Sequence, residues 1–484
     1  MLTERNVKFW LAGFILLFVF GTLAVAVLKY RWFMQGSDLA LFEQTFWNTA
    51  QGRLFETSLE HPSLGDTTSQ LAVDLMLFNL FIVPFYVLFP STYTLLFIQT
   101  VAVGLGAVPV YLLAKHKLRT EAAALIFAVA YLLHPYVIVI TISEFQPRAF
   151  AMVFLLATLE ALEKEAFRPF LLFLVLLLLC RTDVALVVIM LGVYAFLARK
   201  PWPYGVSAIA AGAGWFILGV LVLVPYLAGG KPFFHFGLIY SHLGRDAGEI
   251  IRTVLTRPGY VLSYMFTHSK IKYILLMFVP LAFLPLLSPR VLLLTIPTLV
   301  INLLSEAPAT TSIYGHYQAL LIPPLLVATI SAVHRIGNIL WARCAWCRRR
   351  WNQRNLVIRV SLLTLLVVAL ASTRFNSIVS LVRARPSPER IAAAEKMISL
   401  IPPDAPVSAY SELLSHLSHR RYLYYFPQGV REPRNPSPEY VCADTWTERP
   451  WEKETIRAML AGHRWKVVAE EQGYILFRRA SSPP

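Results

Sequence analysis

Charge is scarce in this sequence. Only 15% of its residues are Asp, Glu, Lys or Arg while 57% are hydrophobic, a balance that excludes a soluble globular protein and places the chain among polytopic membrane proteins. Cysteine is rarer still. Four in 484 residues are too few for a disulfide framework, and the pair Cys344 and Cys347, with no second CxxC beside it, does not make a zinc ribbon. Cys180, inside an apolar run, reads as a small buried hydrophobe. Acids are the minority charge, 28 against 44 Lys and Arg, which leaves +16. The cations cluster in short segments between apolar runs rather than on one solvated face, so the excess is an orientation signal and not a nucleic-acid surface. No Walker loop, GxGxxG, HExxH or GxSxG occurs, which removes support for nucleotide hydrolysis, Rossmann chemistry and the common protease and lipase sites. Inverted repeats of the kind many transporters carry are not visible.

What the sequence does have is apolar runs, and they predict a mainly α polytopic protein with a small α/β tail. Spans are expected near 9–29, 93–114, 121–141, 147–162, 168–181, 184–198, 204–226, 271–288, 290–304, 318–334 and 357–373. The first has no small-residue cleavage site near Lys29, so it reads as a retained span rather than a signal peptide. The segment 71–90 is long enough to cross but carries Asp74, Asn79 and two prolines. If it does not cross, every compact basic cluster, including Lys115 to Arg119 and Arg335 to Arg354, falls on the cytoplasmic side. That parity gives about eleven spans, a cytoplasmic N-terminus and an extracytoplasmic tail in the plasma membrane. The expected domains are a membrane domain over 1–375, with a large outer loop 31–92, and a soluble domain over 385–484. Within the tail, Ser387-Pro388-Glu389 has cap, proline and first-turn acid in the order that starts a helix. Strands are expected at 406–410, 422–426 and 439–443, then a helix near 452–462 and a hairpin 465–478 turning at Gln472-Gly473. His416 and His419 sit three apart, without a third ligand to complete a metal site.

The outer face then collects the ionisable residues: Asp38, Glu43, His61, Asp66 and Asp74, then Glu144 and Arg148, then Arg181 and Asp183, and finally Glu306, Tyr314, His316 and Tyr317. In GSDLALFEQTFWNTAQG, Gly36 to Gly52, the residues Leu39, Phe42, Phe46 and Trp47 fall on one helical face. Two readings are open there: an interfacial anchor lying along the membrane with its acids in water, or a helix that presents Asp38 as a catalytic base. Arg181 and Asp183 interrupt the apolar stretch 169–198, where an ionisable group costs roughly 2.5–3.5 kcal/mol. They are either the polar turn of a helical hairpin or a cavity lining in which Arg181 holds a phosphate and Asp183 orients it or its partners.

These stretches resemble a prokaryotic family of predicted membrane proteins, domain of unknown function 2079, related to the C-superfamily membrane glycosyltransferases. The resemblance is carried by SDLALFEQTFWN (Ser37 to Asn48), Gly65-Asp66, EFQP (Glu144 to Pro147), RTD (Arg181 to Asp183), LSPR (Leu287 to Arg290) and GHYQALLIPPL around His316. It implies a glycosyltransferase-C-like fold and sugar transfer from a polyprenyl-phosphate donor on the outer face, with Asp38 as base, Glu144 as a second acid, and Arg148 or Arg181 on the leaving phosphate. Glu43, Asp66, Asp183, His316 and Tyr317 complete the candidate substrate-binding set. The sequence departs from the family pattern at Thr67, Gln146 and Thr182, where relatives carry two histidines and a glutamate. No metal ligands are therefore assigned, and whether a divalent metal serves as cofactor is left unknown. The implied partners are the lipid bilayer and a polyprenyl-phosphate-linked sugar. The alternatives are a transporter or flippase of a lipid-linked substrate, suggested by Arg181 and Asp183 at membrane depth, and a diverged non-catalytic relative that docks through its tail.

Overall fold

A helix forms in each of the apolar segments in the computed structural model, which describes residues 4–231, 233–344, 351–375 and 377–480. Cys347 and Arg348 to Arg350 lie outside the described residues. Among the described residues five helices are long and apolar enough to cross a membrane: α1 (Glu4–Arg31), α4 (Thr92–Leu118), α10 (Trp202–Leu227), α12 (Ile322–Arg343) and α13 (Gln353–Phe375). A sixth candidate is the pair α5 (Glu121–Leu132) and α6 (Pro135–Ile142), bent by 48°; Pro135 cannot donate a backbone hydrogen bond, so the helix restarts there. The helices α7 (Pro147–Glu163), α8 (Phe167–Cys180) and α9 (Val184–Leu197) are shorter. Of 71–90, only α3 (Asn79–Leu88) is a regular α-helix, and ten residues rise about 15 Å, half of a hydrocarbon core about 30 Å thick.

The chain divides into two compact units. The first comprises 1–24, 73–78 and 98–378; the second comprises 25–72, 79–97 and 379–484.

Within the first unit α9 and α10 approach along small residues. A methyl group built at Gly192 would lie 2.7 Å from the Gly205 carbonyl, and one at Gly212 would lie 2.8 Å from the Ala185 carbonyl. Only glycine lets the two backbones come this close, which is how helices gain contact where lipid offers no hydrophobic drive. Gly212→Val is expected to force them apart and destabilise the protein by about 1–3 kcal/mol, read as a lower melting temperature in detergent. An unchanged melting temperature would show that the seam is slack.

Besides the short antiparallel pair β1 (Glu56–Thr57) and β2 (Thr68–Ser69), the second unit is built on a five-stranded sheet of β3 (Val407–Ala409), β4 (Leu423–Tyr425), β5 (Tyr440–Asp444), β6 (Trp465–Glu471) and β7 (Tyr474–Arg479), in the order β4-β3-β5-β7-β6. β3 runs parallel to both β4 and β5, and β7 is antiparallel to both β5 and β6. Alternation decides the two faces. Tyr440, Cys442, Tyr474 and Leu476 pack with Ala393, Ala394 and Met397 of α14 (Pro388–Ser399). Val441, Ala443, Ile475 and Phe477 pack with Ile456 and Met459 of α15 (Pro450–Ala461). Ser387 caps α14 by accepting from the Arg390 amide. The β6–β7 hairpin turns at Gln472 and Gly473, both with positive φ, 48° and 82°, as a tight hairpin turn requires.

α2 (Ser37–Ala50) also belongs to this unit, and it does not lie along a surface. Leu39, Ala40, Phe42, Glu43, Gln44, Thr45, Phe46 and Asn48 are all buried, so burial runs round the helix instead of along one apolar stripe. The polar side chains explain why. The Gln44 amide donates to Ser58 Oγ at 3.0 Å and to the carbonyls of Arg420 and Arg421 at 3.0 and 3.1 Å, and it accepts from Thr57 Oγ1 and the Ser58 amide at 2.8 and 3.0 Å. Ser58 in turn donates to the Leu423 carbonyl on β4 and accepts the Leu423 amide. One buried amide thus ties α2 and the chain after it to the tail domain. Gln44→Ala leaves these groups unsatisfied in the interior and is expected to destabilise the unit by about 3 kcal/mol or more. Faster amide exchange at Ser58 and Leu423 is the readout, and wild-type protection at both would contradict it.

Candidate functional site

In the first unit the segment 73–78 and the RTD turn meet edge to edge. The Phe78 amide donates to the Leu179 carbonyl at 2.8 Å, which fixes the end of α8 beside Asp74. That carboxylate, 1% exposed, accepts the Thr182 amide and hydroxyl on one oxygen at 2.9 and 2.6 Å and meets Arg181 Nη2 at 2.5 Å with the other. Arg181 Nε lies 3.1 Å from Asp183 Oδ1, and Arg148 Nη2 lies 2.6 Å from Asp183 Oδ2. Two guanidiniums and two carboxylates therefore form one chain, Asp74, Arg181, Asp183, Arg148, with formal charges in balance. Burial alone would push the Asp183 carboxyl up, but Arg148 and Arg181 outweigh it and hold the carboxyl well below its usual range.

Arg148 owes its position to the EFQP break. Pro147 opens α7, and the preceding turn is held by Gln99, whose Nε2 donates to the carbonyls of Ile140 and Glu144 at 3.2 Å while its Oε1 accepts the Gln146 amide at 2.7 Å. Its guanidinium carbon lies 4.8 Å from the Tyr317 ring centroid, a cation–π contact. The loop carrying Tyr317 is braced by Asn302, which donates to the Tyr317 carbonyl at 3.2 Å, and by Gln318, which donates to the Ile313 carbonyl at 3.0 Å. His316 stacks on Tyr317 with ring centroids 4.3 Å apart; burial and the two arginines push its imidazole well below the ordinary value. In the short helix Phe234–Ile239 after α10, burial lowers the His235 imidazole to about 4, and it also feels the charges of Asp74, Arg181, Asp183 and Arg148.

Of the residues singled out from sequence, this unit brings together Arg148, Arg181, Asp183, His316 and Tyr317. Glu144 lies half-buried in the turn that Gln99 braces. Asp38, Glu43 and Asp66 belong to the second unit. Asp38 stands half-buried in the first turn of α2. Glu43 is 0% exposed: its Oε1 accepts from Tyr86 at 2.6 Å and lies 2.6 Å from His419 Nε2. Asp66 accepts the Asn435 amide at 3.0 Å. His416 and His419 do not converge. His416 Nε2 faces the Tyr30 carbonyl at 2.9 Å and its ring stacks on Tyr30, whereas His419 turns to Glu43. Among the described residues no group of three or more His, Cys, Asp or Glu is placed to hold a metal ion.

Sequence reasoning assigned no role to Gln99, His235 or Gln44. Asp74 did leave a signal, a lone acid in the apolar stretch LAVDLMLF, but its partner lies 108 residues away.

Solved structures share this arrangement of helices. ArnT from Cupriavidus metallidurans bound to undecaprenyl phosphate is 13% identical, covers 97% of this chain and 98% of its own, and superposes with a TM-score of 0.55. The same enzyme in the apo state gives 14%, 98% and 99%, and 0.53. The oligosaccharyltransferase AglB from Archaeoglobus fulgidus, in complex with an inhibitory peptide and a dolichol-phosphate, gives 12%, 98% and 74%, and 0.51. No curated protein matches the chain in sequence. At such identities the likeness is one of fold alone: a mostly helical fold similar to that of these enzymes, with a small sheet domain at the C-terminus. The chain belongs to the family described as "Predicted membrane protein (DUF2079)", which matches residues 29–476.

Proposed function

We propose that this protein transfers a sugar from a polyprenyl-phosphate donor to an acceptor hydroxyl at the outer face of the plasma membrane. The N-terminus is then cytoplasmic and the sheet domain extracytoplasmic. The observation that carries the reading is Arg148. The residue is 6% exposed, its Nη2 is committed to Asp183, and among the described residues its Nε has no hydrogen-bond partner. A buried donor left unmade costs about 1–3 kcal/mol, and a phosphate oxygen is the kind of acceptor that would satisfy it. The fold supports the reading too, since the structures it resembles include one with undecaprenyl phosphate and one with a dolichol-phosphate bound.

In the proposed reaction the acceptor oxygen forms a bond to the anomeric carbon as the bond from that carbon to the phosphate oxygen breaks. The hydroxyl proton goes to a carboxylate base, for which the sequence singles out Asp38, and polyprenyl phosphate leaves with the electron pair. Arg148 and Arg181 stabilise the negative charge that develops on it, with Asp74 and Asp183 holding the two guanidiniums in place. Glu144 serves as the second acid, and His316 and Tyr317 line the sugar side. For Glu43 its complete burial supports a structural part. The test is transfer of labelled sugar from a panel of polyprenyl-phosphate donors in membranes that contain wild type or Asp38→Asn at matched protein levels. Transfer that persists unchanged in the variant would remove Asp38 as base, and no transfer by folded wild type from any donor would count against the enzyme.

A further inference from the structure

A second cationic site lies in the first unit, apart from the Asp74 to Arg148 network. A cavity of about 440 Å³ opens between the start of α11 (His268–Phe278), the loop before Gln318 and the end of α13. Its polar side carries Lys272 and Arg374 with the hydroxyls of Ser269, Thr311 and Ser312. Its apolar side is Leu276, Ile313 and Phe375. Among the described residues no carboxylate lines it and neither Lys272 nor Arg374 makes an ion pair, whereas Arg148 and Arg181 are both paired.

The walls are fixed. Asn302 donates to the hydroxyl of buried Tyr273 at 3.1 Å, the Ile313 carbonyl accepts from Gln318 at 3.0 Å, and the Ser312 amide donates to the Ala309 carbonyl at 3.1 Å. The depth is informative as well, because Arg374 stands in the last turn of α13, a helix long and apolar enough to cross a membrane. A cation at the end of a span sits where lipid headgroups sit. A larger cavity of about 740 Å³ in the second unit is less suited to an anion, because Glu395 lines it and its Arg385 lies over the Trp32 ring.

We propose that the cavity at Lys272 and Arg374 binds the phosphate headgroup of an anionic amphiphile, with the hydroxyls completing the phosphate shell and Leu276, Ile313 and Phe375 taking the first part of the tail. This goes beyond the transfer reaction and does not depend on it.

The test is lipid retention by the full-length protein, purified in detergent and measured by native mass spectrometry. The additions are phosphatidylglycerol, undecaprenyl phosphate, phosphatidylcholine or inorganic phosphate. Either anionic lipid, but not phosphatidylcholine, is expected to be retained, and Lys272→Gln with Arg374→Gln is expected to weaken retention at least about tenfold. Lys272→Arg should keep it. Preference for undecaprenyl phosphate over phosphatidylglycerol would identify the carrier as the source, and equal retention would identify the bulk lipid; both support the site. Equal retention of phosphatidylcholine, full competition by inorganic phosphate at the concentration of the lipid, or unchanged retention by a double variant that melts like wild type would overturn it.

Discussion

Asp38→Asn is expected to slow sugar transfer by about 10²–10⁴-fold, the usual worth of a positioned general base, while leaving the fold in place. The amide keeps the size and planarity of the carboxylate but cannot take up the acceptor proton. Two features argue that the loss will be chemical. Asp38 lies in the first turn of α2, where a negative charge gains about 0.3–1 kcal/mol from the helix dipole, a small loss for the amide. The helix itself is held further along, by the Gln44 amide and by Asn48, which donates to the Glu56 carbonyl at 2.9 Å. Initial rates at matched protein levels give the answer, and Asp38→Glu, which restores a carboxylate at a shifted position, should recover part of the activity. A wild-type rate in Asp38→Asn would leave the base elsewhere.

Local chemistry was legible in the sequence wherever the partners are close in the chain. The Ser387 cap, the strands of the tail and the Gln472-Gly473 turn follow from propensities that act over a few residues, and the apolar segments are helices for the same reason. The membership of α2 was not legible. Its polar residues fit an interfacial helix as well as an interior one, and what decides between them is the Gln44 bond to Arg420, across 376 residues. No periodicity in 36–52 encodes that contact. The same holds for the charge network. RTD and EFQP each stand out as breaks in apolar runs, so Arg148, Arg181 and Asp183 could be singled out. That Asp183 would pair with both arginines, and that Asp74 would close the chain, depends on how 73–78 docks on the end of α8. The pairing turns four separate charges into one balanced unit.

Arg181→Met should show how much that balance is worth. Arg181 touches both carboxylates, and Asp74 is 1% exposed. Without the guanidinium, among the described residues Asp74 keeps the Thr182 amide and hydroxyl, and Asp183 keeps Arg148. Removing one partner of a buried pair typically destabilises by about 3–5 kcal/mol, because the charge left behind stays desolvated. The expected result is a large drop in melting temperature in detergent, and Arg181→Met melting like wild type would mean that water already screens the network. Neutralising the orphaned acid as well, in Arg181→Met with Asp74→Asn, should recover much of the loss, a coupling that a double-mutant cycle measures directly. The double variant also separates two roles that the single one confounds. Recovered stability without recovered transfer would place Arg181 on the departing phosphate; recovery of both would make it a strut for Asp183 and leave that phosphate to Arg148.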